Sequence, residues 1–333
     1  MLLALLALPC AVLASRADEP LQDLKAQYRR ETTVPFPSSD PYSAAKLRLG
    51  RMLFFEPKLS GPGTRSCATC HNPALSWGDG LPRAVGEQAL TLRSPTLLGV
   101  AWIPVLGWDG KYPTLEDVAI GPMLSPANMN ITEREALRRL SAIAGYRAAF
   151  AEAFPRSDPH EAVSRTHLEQ ALATFERTIV AAPAPFDAWI EGNEEAIGER
   201  AKRGFLLFTG KAGCAECHSG PNFTDGSFQD IGLAAEDDIG RGRLFPSSVK
   251  LQHAFKVPTL RDVARRAPYM HDGSLPDLAA VVAAYDQGGI DRPSRSELIH
   301  PLSLTPEERS ELVAFLRTLT GDPQPFEAPE LPR

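Results

Sequence analysis

The sequence predicts a mainly α-helical protein built from two domains. Its 333 residues exceed what one hydrophobic core commonly supports, which favours two domains of ordinary size. Apolar residues recur at helical spacing, whereas no stretch alternates polar and apolar residues for long enough to predict a β-strand. The 30 prolines are typical of helices joined by long ordered loops.

Two segments carry the helical pattern most clearly. Between His167 and Ala181, apolar residues three and four positions apart form one helix face. Near the C-terminus, Thr305 can cap a helix that starts at Pro306, with Glu308 placed to complete a capping box. The residues expected to be buried by the two helices are Leu168, Leu172, Phe175, Ile179, Leu312, Phe315, Leu316 and Leu319.

Composition and the N-terminal residues limit the class of protein, its possible partners and its location. Hydrophobic residues make up 43% and charged residues 23%, which is typical of a globular chain, and the formal charge of -6 argues against nucleic acid as a partner. Residues 1–17 are interpreted as a signal peptide, because the apolar run Leu2–Leu13 is too short to span a bilayer and small residues follow it. We therefore expect an exported, periplasmic protein without stable membrane insertion; a lipid anchor at Cys10 is the alternative.

Removal of the predicted signal peptide leaves four cysteines, and all of them lie in two Cys-x-x-Cys-His units. None remains for a structural disulfide. In such a unit the two thiols bond to porphyrin vinyl groups while the adjacent imidazole reaches the iron. The residues are Cys67, Cys70 and His71 in the first unit and Cys214, Cys217 and His218 in the second.

Zinc is the alternative reading of these units, because two Cys-x-x-Cys pairs can form a four-thiolate site. Three observations oppose it: each pair is followed directly by histidine, the pairs lie 147 positions apart (214 − 67), and the chain is predicted to be exported. We therefore expect two cytochrome c-like domains, at 18–185 and 186–333, each with one covalently bound c-type haem. The stretch 183–193 is the expected linker between them.

Beyond the two units, four further strings resemble the bacterial di-haem cytochrome c peroxidase and MauG family. The strings are RSPTLLGVAW, WDGKYPTLEDVAIGP, FKVPTLRDVARRAPYMHDGSL and LTPEERSELVAFLRTLTG, and the resemblance runs from about Ala44 to Gly321. It implies that the first haem binds hydrogen peroxide and that the second stores or relays an electron. His71 and His218 would be the proximal iron ligands.

The resemblance separates two branches of the family at the sixth position of each iron. Ordinary peroxidases carry a histidine on the loop after the first unit, which blocks the peroxide site until reduction; Glu87 stands there in this chain. The second iron of ordinary peroxidases is ligated by a methionine. Tyr285 occupies that position in this chain, and MauG-like members also have a tyrosine there. A phenolic oxygen favours higher oxidation states than a thioether. A core tyrosine is the alternative, and Met270 and His271 are weaker rival ligands.

Two more residues acquire roles from the resemblance. Trp108 matches the tryptophan that lies between the haems, where an indole shortens the path of an electron. Arg261 is expected to pair with a haem propionate, because a guanidinium fork suits a carboxylate.

The chain departs from the family at the expected peroxide pocket. Pro122 is kept, but Val118 occupies the position of a glutamine and Asn128 that of a glutamate. Asparagine cannot shuttle a proton. Three readings follow: another carboxylate (Glu87 or Glu116) serves the pocket, the peroxidase step is slow, or catalysis has been lost. Calcium, which often bridges the domains of the family, is unsupported, because Arg93 replaces an asparagine near the SPT string.

The leading functional hypothesis is a MauG-like oxidoreductase. Hydrogen peroxide would bring the two haems to a high-valent state that oxidises a periplasmic partner protein, including its Trp or Tyr side chains. The first alternative is a di-haem peroxidase that detoxifies peroxide with electrons from a small cytochrome. The second is a non-enzymatic electron-transfer or redox-sensing cytochrome.

Overall fold

The computed structural model describes residues 19–158 and 161–333, so the predicted signal peptide and Cys10 lie outside the described residues. Within them the protein is mainly α-helical, as predicted. The helices are α1 (Glu19–Ala26), α2 (Ala44–Phe54), α3 (Cys67–Cys70), α4 (Leu115–Leu124), α5 (Glu133–Ala142), α6 (Ala144–Ala153), α7 (Arg165–Arg177), α8 (Pro185–Ile190), α9 (Glu199–Thr209), α10 (Leu278–Gln287) and α11 (Pro306–Thr318).

Long loops with single 3₁₀ turns join these helices. Two strands of two residues each, β1 (Phe228–Gln229) and β2 (Phe255–Lys256), pair antiparallel. The 3₁₀ turns are Pro57–Leu59, Pro73–Leu75, Val100–Trp102, Cys214–Glu216, Arg241–Arg243, Val249–Leu251 and Val263–Arg265. No helix in the described ranges has the length and apolar character needed to cross a membrane.

The two helices predicted from periodicity form as expected. In α11 the Thr305 hydroxyl accepts a hydrogen bond from the Glu308 N–H (3.2 Å), and the Glu308 carboxylate accepts one from the Thr305 N–H (2.8 Å), which completes the capping box. The apolar residues predicted for α7 and α11 are all buried. These faces form the centres of two hydrophobic cores.

Each core is organised by the same crossing of two helices. α2 packs on α7 at Gly50, where an added Cβ would lie 1.9 Å from the carbonyl oxygen of Ala171. α9 packs on α11 at Gly204, where an added Cβ would lie 2.0 Å from the carbonyl oxygen of Glu311. Only glycine permits backbones to approach this closely. The repeated crossing is the structural counterpart of the two similar sequence units.

Each end of the chain packs against the hydrophobic core of the opposite half. α1 and the following Tyr28 belong to the second core, where the Tyr28 ring stacks on Phe223 with centroids 4.9 Å apart. Phe326, after the last helix, packs on the first core, with its ring centroid 5.3 Å from that of Trp77. Each core therefore includes a segment from the far end of the chain, and the domain boundary between 185 and 186 stays a prediction.

The stretch 183–193, expected as the linker, contains a helix that packs in the second core, and its place between two domains stays a prediction. Pro185 begins α8, a favoured position for proline, and the Asp187 carboxylate accepts a hydrogen bond from the Ala184 N–H (2.7 Å). Phe186 and Trp189 are buried in the second core. Burial of these large aromatic side chains stabilises the helix within the expected linker.

The helix crossing at Gly204 predicts the cost of a single methyl group. We expect Gly204→Ala to lower the free energy of unfolding by about 3 kcal/mol, because the obstacle is a backbone oxygen that cannot rotate away. Chemical denaturation of the holoprotein measures the change.

Gly198→Ala is the matched control, since an added Cβ there meets no atom within 4 Å. Equal stability of the two variants would contradict the close crossing.

Candidate functional site

In the first unit, a single helical turn presents the cysteines and the histidine. α3 spans Cys67 to Cys70, and the His71 N–H donates to the Cys67 carbonyl oxygen (2.9 Å). The Nδ1 of His71 lies 3.2 Å from the carbonyl oxygen of Trp77. A proton on Nδ1 is held by that carbonyl, which leaves Nε2 free as a metal ligand. Burial lowers the pKa of His71, so the imidazole stays neutral, as metal ligation requires.

The second unit repeats this geometry in a different local fold. Cys214 lies in a 3₁₀ turn, and the His218 N–H donates to its carbonyl oxygen (2.9 Å). The Nδ1 of His218 is 2.9 Å from the carbonyl oxygen of Phe223. Burial lowers the pKa of His218 as well. Both imidazoles are thus orientated by a main-chain acceptor and present the same nitrogen to a ligand.

Matching Pro-Thr-Leu strings support the two histidine loops. The Thr96 hydroxyl donates to the Ser76 carbonyl oxygen (2.6 Å), next to the residue that holds His71. The Thr259 hydroxyl donates to the Asn222 carbonyl oxygen (2.6 Å), next to the residue that holds His218. These two contacts explain the Ser-Pro-Thr string at 94–96 and the Val-Pro-Thr string at 257–259: their threonines support the loops that orientate His71 and His218.

A large apolar cavity adjoins the second unit. Cys214, Cys217 and His218 line it, together with Tyr285. Residues spaced three and four apart on α10 face it, as do residues of α11. The residues of these two helices in the lining are Leu278, Val281, Val282, Tyr285, Leu312 and Leu316. Such a lining suits the apolar body of a porphyrin.

Tyr285 is the polar exception on this face of α10. The residue is partly buried, and its hydroxyl forms no hydrogen bond with any residue in the described ranges, although a phenol in an apolar setting normally finds a partner. Burial raises the pKa of the phenol, and the nearby Cys214 and Cys217 contribute in the same direction. An unpartnered phenol in the cavity that His218 lines is what ligation of a second-haem iron requires, and this role of Tyr285 stays a prediction.

Two cations in the cavity wall, the buried Arg93 and the partly buried Arg266, fit the acidic groups of a haem. Arg93 and Arg266 both line the cavity, and neither forms an ion pair within the described residues. Burial lowers the pKa of both, and in Arg266 the nearby Arg93 adds to the effect. The Nε of Arg266 is buried without a partner. Propionates would supply the missing negative charge.

Arg261, which sequence reasoning assigned to a propionate, has protein partners. Its guanidinium donates to the Asp187 carboxylate (2.5 Å) and to the Pro221 carbonyl oxygen (2.8 Å) and is almost fully buried. The propionate role of Arg261 stays a prediction, and Arg266, five positions on in the same string, was missed. The sequence offered no signal to separate the two, because the loop conformation decides which one faces the cavity.

Trp108 lies where the two halves of the chain meet. Its Nε1 donates to the Arg93 carbonyl oxygen (2.9 Å), and its own carbonyl oxygen accepts from the Lys256 N–H (2.8 Å). Its ring is 6.5 Å from that of His271, which stacks on Phe255 at 3.7 Å. His271 also contacts the Asp238 carboxylate (3.0 Å), so its nitrogen is occupied; Met270 lines the cavity.

The residues predicted for the peroxide pocket come together only in part. The Glu87 N–H donates to the Asn128 carbonyl oxygen (2.9 Å), so the two loops are adjacent. The Glu87 carboxylate, however, pairs with Arg65 (3.0 Å) near the surface. Pro122 lies inside α4, and its carbonyl oxygen accepts from the Met129 N–H (3.2 Å). The catalytic roles of these residues stay predictions.

Comparison with known proteins decides the family. Residues 44–195 match the family described as di-haem cytochrome c peroxidase, and residues 201–320 match cytochrome c. The chain is 48% identical to the methylamine utilization protein MauG of Methylorubrum extorquens over 96% of this chain and 90% of the relative. It is 42% identical to the protein of the same name from Methylophilus methylotrophus over 92% of each chain.

The chain belongs to the MauG and di-haem cytochrome c peroxidase family. Cytochrome c551 peroxidase of Nitrosomonas europaea is a more distant relative, 32% identical over 95% of this chain and 88% of its own length. Among solved structures, a MauG-like protein associated with microbial copper homeostasis superposes with a TM-score of 0.79 at 29% identity, covering 87% of this chain and 94% of that one.

Family membership makes this chain a di-haem oxidoreductase that acts on peroxide. It implies two c-type haems, for which the two histidine loops and the cavity lining provide a fitting set of residues. Calcium stays untested, and the buried Arg93 cation stands at the position that the resemblance associates with a calcium ligand.

Tyr285→Phe tests the candidate ligand of the second haem. We expect the ferric absorption and electron paramagnetic resonance signals of the second haem to change, because the phenol oxygen leaves the iron, while those of the first haem stay the same. Both spectra are measured on the purified holoprotein.

Tyr269→Phe is the matched control, because Tyr269 lines the same cavity but its hydroxyl already donates to the Val263 carbonyl oxygen (2.9 Å). Spectra of Tyr285→Phe that are unchanged would remove Tyr285 from the iron.

Proposed function

We propose that the chain is a MauG-like enzyme that uses hydrogen peroxide to oxidise a partner protein in the periplasm. The observation that carries the proposal is the unpartnered Tyr285 phenol in the cavity of His218, where ordinary peroxidases are expected to present methionine. An oxygen ligand stabilises the oxidised form of a haem, whereas a thioether stabilises the reduced form. The site is therefore suited to storing oxidising equivalents rather than a ready electron.

Three features are in line with this reading, and the first and third of them favour it over peroxide detoxification. Glu87, in place of the expected blocking histidine, is turned to Arg65 and leaves the first site without a competing imidazole. Trp108 lies beside the His271 ring at the meeting of the two halves, which suits transfer of charge between haems. Two relatives at 42% and 48% identity carry the name MauG.

When bound, the two haems would supply the redox chemistry by which peroxide is reduced and the substrate oxidised. The protein holds each proximal imidazole neutral and orientated, and it provides an apolar wall for the second haem. Trp or Tyr side chains of the partner are the proposed electron source. Because two relatives are named as methylamine utilization proteins, a protein of methylamine utilization is the partner to test first.

Peroxide added to the diferric protein tests the proposal directly. We expect a long-lived oxidised spectrum that decays faster when the partner protein is present, and little turnover with a reduced small cytochrome. Stopped-flow absorption measures both reactions. Rapid, sustained oxidation of the small cytochrome would instead establish the detoxifying peroxidase.

Tyr285→Met provides the matched comparison within one scaffold. A thioether raises the potential of the second haem, so we expect the variant to lose the long-lived oxidised spectrum and to gain turnover with the small cytochrome. If the variant and the unaltered protein react alike, the sixth ligand does not separate the two functions.

Asn128→Glu tests whether the missing distal carboxylate slows the peroxide step. A general acid–base group placed at the reacting oxygen contributes about 10²-fold or more, so we expect the variant to react with peroxide at least about tenfold faster. Asn128→Gln, which adds the same length without a proton-shuttling group, should leave the rate unchanged. Equal rates in all three proteins would place the proton exchange elsewhere.

A further inference from the structure

Glu176 is a buried carboxyl group for which the proposed function has no role. It is the penultimate residue of α7, and only 6% of it is exposed. Its Oε2 is buried and has no hydrogen-bond partner within the described residues. An unpaired buried carboxylate costs several kcal/mol, so a group retained in this state either carries a proton or faces a ligand.

The repeated helix crossing places Glu176 against the first haem unit. Ala171 in α7 and Glu311 in α11 occupy the same position in the two crossings, since each carbonyl oxygen meets the glycine of the facing helix. Counting on by five residues from each, Glu176 corresponds to Leu316. Leu316 lines the cavity that His218 shares. By this correspondence Glu176 lies at the wall of the first haem site.

An electrostatic contact supports the same placement. The charge of Glu176 raises the pKa of the Cys67 thiol, second only to burial itself. Cys67 is the first attachment residue of the first unit and packs against the first core. The carboxyl group is therefore close enough to the haem attachment to respond to a charge at the haem.

The neighbouring charges leave Glu176 without a counter-ion. Arg177, the next residue, directs its guanidinium to the carboxylate of Glu116 on α4, at 2.8 and 3.1 Å. Glu116 is negative and so opposes ionisation of Glu176. Burial, partly offset by Arg177 and reinforced by Glu116, raises the pKa of Glu176 to about 8.

The other elements packed on α7 bring no compensating charge to this point. α2 faces α7 with apolar residues and Gly50, and its buried Lys46 is paired with Asp40 (2.5 Å). The 3₁₀ turn Val100–Trp102 carries no titratable side chain. The other α2 cations are engaged elsewhere, Arg48 with the Glu152 carboxylate and Arg51 over the Phe326 ring. Among the described residues, the charges that act on Glu176 are those of Arg177 and Glu116.

We propose that Glu176 is the proton-exchanging group of the first haem site, taking up one proton when that haem gains an electron and releasing it when the electron leaves. The step balances one electron at the iron with one proton at the carboxylate, so the net charge of the buried site does not change. It rests on the proposed function only in that the first haem is the one that exchanges electrons with peroxide.

The midpoint potential of the first haem, measured against pH without peroxide or partner, tests the proposal. Around pH 8 the potential of the unaltered protein should fall by about 59 mV per pH unit, the value for one proton per electron. Glu176→Gln keeps the shape of the side chain but cannot ionise, so its potential should be independent of pH in this range. An unchanged slope in Glu176→Gln would overturn the proposal.

Two further variants keep this test interpretable. Glu169→Gln, on the same helix and paired with Arg165 at 2.7 Å, should retain the slope of the unaltered protein. Glu176→Leu copies the residue at the corresponding position of the second domain, and it too should abolish the slope. A slope retained in Glu176→Leu would count against Glu176 even if Glu176→Gln failed to fold.

Infrared difference spectra between the oxidised and reduced holoprotein provide a direct view of the proton. The proposal requires a protonated carboxyl C=O band that appears on reduction and is absent from Glu176→Gln. A band that persists in the variant would assign the proton to another group. Neither measurement depends on the peroxide reaction, so a negative result with peroxide would leave this inference standing and refute only the proposed function.

Discussion

The structure depends on one hydrogen bond made twice: the Nδ1 of each proximal histidine against a main-chain carbonyl oxygen. His71 is held by Trp77 and His218 by Phe223, at 3.2 and 2.9 Å. This bond selects the neutral tautomer with Nε2 free, which is the form that binds iron. Because the acceptor belongs to the backbone, its position is set by the fold of the loop and not by a side chain.

The rest of each half serves to hold that loop still. The threonines of the two Pro-Thr-Leu strings bind the loop from one side. Aromatic rings from the opposite end of the chain cover it from the other, Tyr28 on Phe223 and Phe326 on Trp77. Each half therefore contributes to the support of the other half's histidine. This exchange gives a physical reason for the two domains to act as one unit.

The two sites share this support but differ in what surrounds it. The second has an apolar wall, an unpartnered phenol at Tyr285 and the unpaired cations Arg93 and Arg266. The first has an unpartnered carboxyl group, Glu176, where the corresponding residue of the second half is leucine. A duplicated framework has thus acquired different chemistry in its two halves, with oxygen ligation proposed at one and proton exchange at the other.

The sequence by itself determined the helical class, the amphipathic helix α7 and the capped helix α11, and it predicted the six residues of the two Cys-x-x-Cys-His units, because spacing and capping are local properties that a chain displays directly. It also indicated Tyr285, through its alignment with the methionine of ordinary peroxidases. Only the tertiary structure decided that Pro185–Ile190 forms a helix with Phe186 and Trp189 in the second core, that Arg261 pairs with Asp187, and that Arg266 faces the cavity. The burial of Glu176 without a hydrogen-bond partner for Oε2 could not be predicted from the sequence either. Burial and the choice of partner depend on residues far away in the chain, and no local pattern records them.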